Sequence, residues 1–160
     1  LTNFTKQILR QGEKIEAFNR QGPKPVIWGR DSDEQAIDVL VDVLRDNEKR
    51  KMTTAIITKD LAGAKFVHEK LSEKGEKSTL IATANQRLVD GTLVIPSYLA
   101  KGLEFDAVVM WGANKKNYHQ LDETQLVYTI TSRAMYKLDV IYTGEKSPLL
   151  DVDPVTYEEK

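Results

Sequence analysis

A chain of 160 residues, 41% hydrophobic and 29% charged, has the makeup of one globular domain, not of a disordered or fibrous chain. Its net charge of −1 lacks the basic excess of a self-sufficient nucleic-acid-binding module, and the absence of cysteine excludes disulfides, thiolate metal sites and thiol nucleophiles. His68 and His119 have no partner at metal-ligating spacing and no apolar run approaches the ~20 residues that span a bilayer, so neither a metal site nor a membrane span is expected.

The opening residues Leu1–Arg10 are polar-interrupted, without a signal-peptide pattern or an initial Met, which reads as an intracellular domain excised from a longer protein. Phe4, Ile8, Ile15 and Phe18 recur at helical spacing and predict an amphipathic helix over roughly residues 3–20, stopped by Gly22-Pro23-Lys24-Pro25. Val26-Ile27-Trp28 follows as a short strand. Ser32-Asp33-Glu34-Gln35 is a capping box with two acids in the first turn, opening a helix with Ala36, Ile37, Leu40, Val41 and Leu44 inward.

Thr54–Thr58 is a continuous, β-branched run of the kind buried on both faces of a parallel sheet. Asp60 caps the next helix, which turns Ala64, Val67 and Leu71 inward and stops at Gly75. Thr79–Ala82, Leu93–Ile95, Val108–Trp111 and Leu138–Tyr142 are further strands, and a capping box at Asp122-x-x-Gln125 predicts a helix reaching about Tyr136. Strands alternating with helices predict an α/β fold with a mainly parallel central sheet, in which ligands gather at the carboxyl ends of the strands. From Glu145 onward the chain has two prolines, several acids and no periodicity, which divides it into a domain over residues 1–145 and a C-terminal tail over 146–160.

The chain lacks a phosphate loop. Gly75-Glu76-Lys77-Ser78 comes nearest to GxxxxGK[ST], but Glu76 separates glycine from lysine and position 70 is Lys. Ile56-Ile57-Thr58-Lys59-Asp60 imitates a strand ending in a magnesium-binding acid, and helix capping by Asp60 accounts for it without a metal. No parts for hydrolysis are complete in this chain.

Two other stretches are more informative. Ile95-Pro96-Ser97-Tyr98-Leu99-Ala100-Lys101-Gly102-Leu103-Glu104-Phe105-Asp106 reads as strand, turn and glycine-containing loop before the next strand. By pattern alone it is equally a connector with a solvated lysine and a capping glutamate. In Gln125–Met135, Leu126, Ile130 and Ala134 form one face, and Arg133 lies beside it between the small residues Ser132 and Ala134. Such an arginine has an unobstructed fork for phosphate, although most helical arginines are plain surface residues.

Together the two stretches resemble consecutive motifs of UvrD/Rep-type superfamily 1 DNA helicases. Ala100–Asp106 matches the AKGLEF(D) core of motif V, and Tyr128, Ser132, Arg133 and Ala134 match motif VI, typically YVAxTRA. The variants IPSYLAKGLEFDAVV and YTITSRAM are most similar to the helicase-IV-like, RNA-polymerase-associated HelD branch. The resemblance implies a RecA-like three-layer fold, the C-terminal motor domain (2A). It covers about residues 1–145, outside the two motifs as pattern only. It assigns Arg133 to the γ-phosphate across a cleft between two RecA-like domains, Glu104 to the ribose, Gly102 to close backbone approach and Lys101 to bracing the loop.

Pro96-Ser97-Tyr98 stands where many relatives carry a Thr-x-His facing single-stranded DNA, which leaves Ser97 and Tyr98 as candidate strand contacts, Tyr98 by stacking. Ser132 replaces the usual threonine before the arginine. The resemblance further implies ATP with Mg2+, used only together with an N-terminal motor domain outside this chain, DNA (single-stranded or duplex) as a partner, and a bacterial cytoplasmic setting. The alternative it leaves open is a docking module for RNA polymerase, for which the Lys115–His119 loop and the acidic tail are the exposed candidates.

Overall fold

The apolar runs become strands because each can bury alternate side chains on opposite faces of a sheet. The computed structural model describes residues 2–9 and 23–160. Seven strands are present among them: β1 (Val26–Arg30), β2 (Thr54–Thr58), β3 (Thr79–Leu80), β4 (Thr92–Pro96), β5 (Phe105–Trp111), β6 (Ala134–Thr143) and β7 (Glu158–Glu159). They form one sheet in the order β3-β4-β2-β5-β6-β1-β7, with every pairing parallel.

Parallel neighbours require crossovers. Helices α2 (Asp33–Lys49), α3 (Leu61–Glu73), α4 (Ser97–Ala100) and α5 (Thr124–Thr131) lie in four of the connections, β3 passes to its neighbour β4 through the helix-free residues 81–91, and α1 (Thr2–Leu9) adds a further helix against α5. Ile15 and Phe18 of the expected first helix lie outside the described residues.

The alternation produces two cores. Ile56, Val94, Val109 and Ile141 pack against α2 and α3 on one face. Ala55, Ile57, Leu93, Ile95, Val108, Met110 and Val140 face the other way, against Phe4, Ile8, Val127 and Ile130. Ile57, Met110 and Ile130 are fully buried, and each such side chain contributes about 1.5–3 kcal/mol of apolar transfer. The expected three-layer α/β arrangement is therefore present, with a sheet that is parallel throughout.

Local chemistry sets the helix ends. Ser32 Oγ accepts from Gln35 N at 3.2 Å, while Gln35 Oε1 accepts from Asp31 N, one residue earlier than a capping box would place it. Asp60 Oδ1 accepts from Gly63 N at 2.8 Å, so the acid at the end of β2 is a helix cap. Gly75 follows α3 with φ +77, the left-handed geometry that helix exits favour.

Two elements differ from the sequence expectation. The helix expected to run from Asp122 to Tyr136 is a 3₁₀ turn (Leu121–Glu123) followed by α5, which ends at Thr131. Its capping box joins Gln120 and Glu123. Ala134 already pairs with Phe105 as the first residue of β6, so Ala134–Tyr136 is strand. Residues 146–160, read as a tail, are packed against the sheet. Leu149, Leu150 and Val152 are buried in the core, and β7 pairs with β1 through Val26–Glu158 and Ile27–Glu159. Tyr157 meets the Phe4 ring edge-on at 6.0 Å between centroids. The segment shows no periodicity because 3₁₀ turns at Pro148–Leu150 and Pro154–Thr156 place its apolar residues.

Candidate functional site

From the carboxyl end of β4 the chain must cross to the amino end of β5. It does so through the single turn of α4 and a reversal at Lys101-Gly102, closed by Leu103 N donating to Ala100 O at 3.0 Å. Gly102 has φ +82, which a side chain would strain, and nothing lies within 4 Å of where its Cβ would be, so the backbone here is open to approach. Lys101 and Glu104 are exposed and make no hydrogen bond or ion pair among the described residues. Asp106 is turned the other way: at the irregularity between Phe105 and Ala107 its Oδ2 accepts from Thr53 N at 3.0 Å and anchors the start of β2.

The second stretch meets the first. Arg133 lies in the two-residue junction between α5 and β6, beyond the Ser132 cap. Its carbonyl accepts from Phe105 N at 2.9 Å. Its guanidinium is held by three bonds: Nε donates to Thr129 O at 3.0 Å, Nη1 to Leu103 O at 3.3 Å and Nη2 to Ser132 Oγ at 3.2 Å. Thr129 O belongs to the last turn of α5, where carbonyls lack helical partners and a cation is favoured. Lys101, Gly102, Glu104 and Arg133 are thus gathered at the amino ends of β5 and β6.

The carboxyl ends, where ligands were expected from fold geometry alone, form a separate crevice of about 800 Å³, lined among others by Asp31, Ser32, Lys116, His119, Thr143 and Glu145. Beside it, Lys59 pins the loop that follows β5. Its Nζ lies 2.6 Å from Glu123 Oε2 and donates to Asn117 O. Burial raises the Glu123 carboxyl, but the Lys59 ammonium and the amides of Gln120 and His119 outweigh it and hold the group below the usual carboxylate range. Tyr118, within the Lys115–His119 stretch expected to be exposed, is instead fully buried, its ring 5.6 Å from Lys59 Nζ, and burial pushes its phenol well above its ordinary value, with Asp60 and Glu123 adding to the effect.

Ser97 and Tyr98 are not presented together. Ser97 is 3% exposed and its hydroxyl donates to Lys59 O at 2.9 Å, whereas Tyr98 is 59% exposed. Sequence reading missed the partners of Arg133, since two of them are main-chain carbonyls that any residue would supply. The one signal available was the hydroxyl residue Ser132 directly before it.

No family model and no curated protein matches the chain. Among solved structures, the chain is similar to the crystal structure of the C-terminal domain of a possible DNA helicase from Lactobacillus plantarum WCFS1, with 45% identity, a TM-score of 0.87 and coverage of 99% of this chain and 93% of that one. At that identity over nearly the full length of both chains, this chain belongs to the family of helicase C-terminal domains, and its parallel sheet flanked by helices is the RecA-like arrangement.

Proposed function

We propose that the domain is the C-terminal motor half of an ATP-dependent, UvrD-like superfamily 1 DNA helicase or translocase in a bacterial cytoplasm. The observation that carries this reading is the meeting of the two motif stretches: the Arg133 guanidinium donates to the carbonyl of Leu103, inside the Lys101–Glu104 turn, at 3.3 Å.

The residues suit a shared ATP site. Three of the five N–H donors of Arg133 are engaged within the chain, which leaves one on each of Nη1 and Nη2 for phosphate oxygens. The Glu104 carboxylate is exposed for a ribose, and the open backbone at Gly102 lets a nucleotide come close. The sequence carries no GxxxxGK[ST] phosphate loop, so in this reading the phosphate loop and the Mg2+ site belong to an N-terminal RecA-like domain. ATP supplies the phosphoryl-transfer energy; this chain's part is to place positive charge where the transferring group becomes more negative. The purified 160 residues are expected to show no Mg2+-dependent ATP turnover. Robust hydrolysis by this chain alone would overturn the reading.

A second reading, docking to RNA polymerase in the manner of the HelD branch, is favoured by the burial of Ser97. Of Pro96, Ser97 and Tyr98, only Tyr98 is exposed, which reduces the contacts available to DNA. In this reading the full-length protein co-purifies with polymerase after nuclease treatment. Association that disappears with the DNA would leave strand binding as the better account.

A further inference from the structure

We propose that Ser132 is a positioning residue for Arg133, its hydroxyl locking the guanidinium in the orientation that leaves two N–H groups for an oxyanion. The inference rests on the composite-site reading above and adds a residue to it. Ser132 Oγ accepts from Arg133 Nη2 at 3.2 Å and donates to Thr129 O at 3.2 Å, while Arg133 Nε donates to the same Thr129 O at 3.0 Å. The four groups close a ring of hydrogen bonds at the end of α5. A hydroxyl is the group that fits, because it must accept from the arginine and donate to the carbonyl at once.

Alanine breaks the ring at two points and frees Nη2 to rotate. Threonine carries the same hydroxyl and preserves it. The ring also joins two parts of the site. Nη1 reaches Leu103 O next to Glu104, so an arginine held by Ser132 keeps the Lys101–Glu104 turn in register with the end of α5. A freely turning arginine serves neither task, and small misplacements of such groups are costly in rate.

Two measurements test this. In the 160-residue chain, nitrogen-15 NMR of the arginine side chains is expected to show slow rotation about the Cζ–Nη2 bond of Arg133 in the wild type and in Ser132→Thr, and fast rotation about it in Ser132→Ala; unchanged slow rotation in Ser132→Ala would overturn the lock. The amide spectrum recorded alongside shows that each variant is folded. In the full-length helicase, Ser132→Ala is expected to lower kcat for ATP about tenfold with KM within about twofold. Ser132→Thr restores kcat, and Ser132→Ala adds nothing on top of Arg133→Ala. Wild-type kcat in Ser132→Ala, or equal loss in the threonine and alanine variants, would overturn the proposal while leaving the role of Arg133 intact. Unchanged kcat in Arg133→Ala would instead remove the reading on which it rests.

Discussion

Arg133→Ala in the full-length helicase is expected to lower kcat for ATP hydrolysis by about a thousandfold or more, the range of an arginine finger, while ATP affinity changes less than about tenfold. The asymmetry follows from when the charge is needed. Negative charge on the transferring phosphoryl oxygens is best matched in the transition state, so a cation placed there acts mainly on kcat. A modest loss of affinity is expected as well, because Nη1 also holds the carbonyl of Leu103 and with it the turn that presents Glu104. Arg133→Lys should rescue little: an ammonium has no planar fork, and it cannot engage Thr129 O, Leu103 O and Ser132 Oγ while offering two further donors to phosphate. Steady-state kinetics with an independent binding measurement separate the two effects. A kcat that survives the alanine substitution would reduce Arg133 to a brace between α5 and β5.

How much of this was legible in the sequence depends on whether the determinant was local. Thr54–Thr58 was read to the residue as a strand, because a run buried on both faces leaves few other options for β-branched side chains. Asp60 was read as a cap for the same kind of reason, its partner Gly63 being three residues away. The start of β6 was misread because Leu126, Ile130 and Ala134 keep helical spacing, and what ends α5 is the pairing of Ala134 with Phe105, 29 residues earlier in the chain. The segment 146–160 was misread because β7 consists of two glutamates with no strand propensity, recruited by the backbone edge of β1. At the candidate site the residue types were visible in the two motif stretches, but their placement at the amino ends of the strands was not. The burial of Ser97 was equally hidden, since its partner is the main-chain oxygen of Lys59.

A second large effect is expected far from any nucleotide chemistry, at Lys137 and Asp139 on β6. The two stand at i and i+2 and share the sheet face that packs against α2. Asp139 is 2% exposed; its Oδ2 lies 2.6 Å from Lys137 Nζ and its Oδ1 accepts from Trp28 Nε1 of β1 at 2.9 Å. Lys137 Nζ also lies 4.0 Å from Asp46 Oδ2 on α2, so the group ties β6 to β1 and to α2.

Lys137→Met would leave a buried carboxylate with one neutral donor, and removal of a single partner from such a pair costs about 3–5 kcal/mol. Removing both charges should cost much less, because the attraction between buried ions is largely spent on their desolvation. Lys137→Met with Asp139→Leu is therefore expected to recover most of the loss, short of the bond that Trp28 gives up. Urea unfolding of the 160-residue chain measures both. A single-variant loss below about 1 kcal/mol would mark the pair as surface-like, and a double variant as unstable as the single would show that the charges themselves hold β6 between its neighbours. The same strand begins directly after Arg133, so the position of the arginine depends on β6 staying in register with β5, and the ion pair and the candidate site meet at one element of the fold.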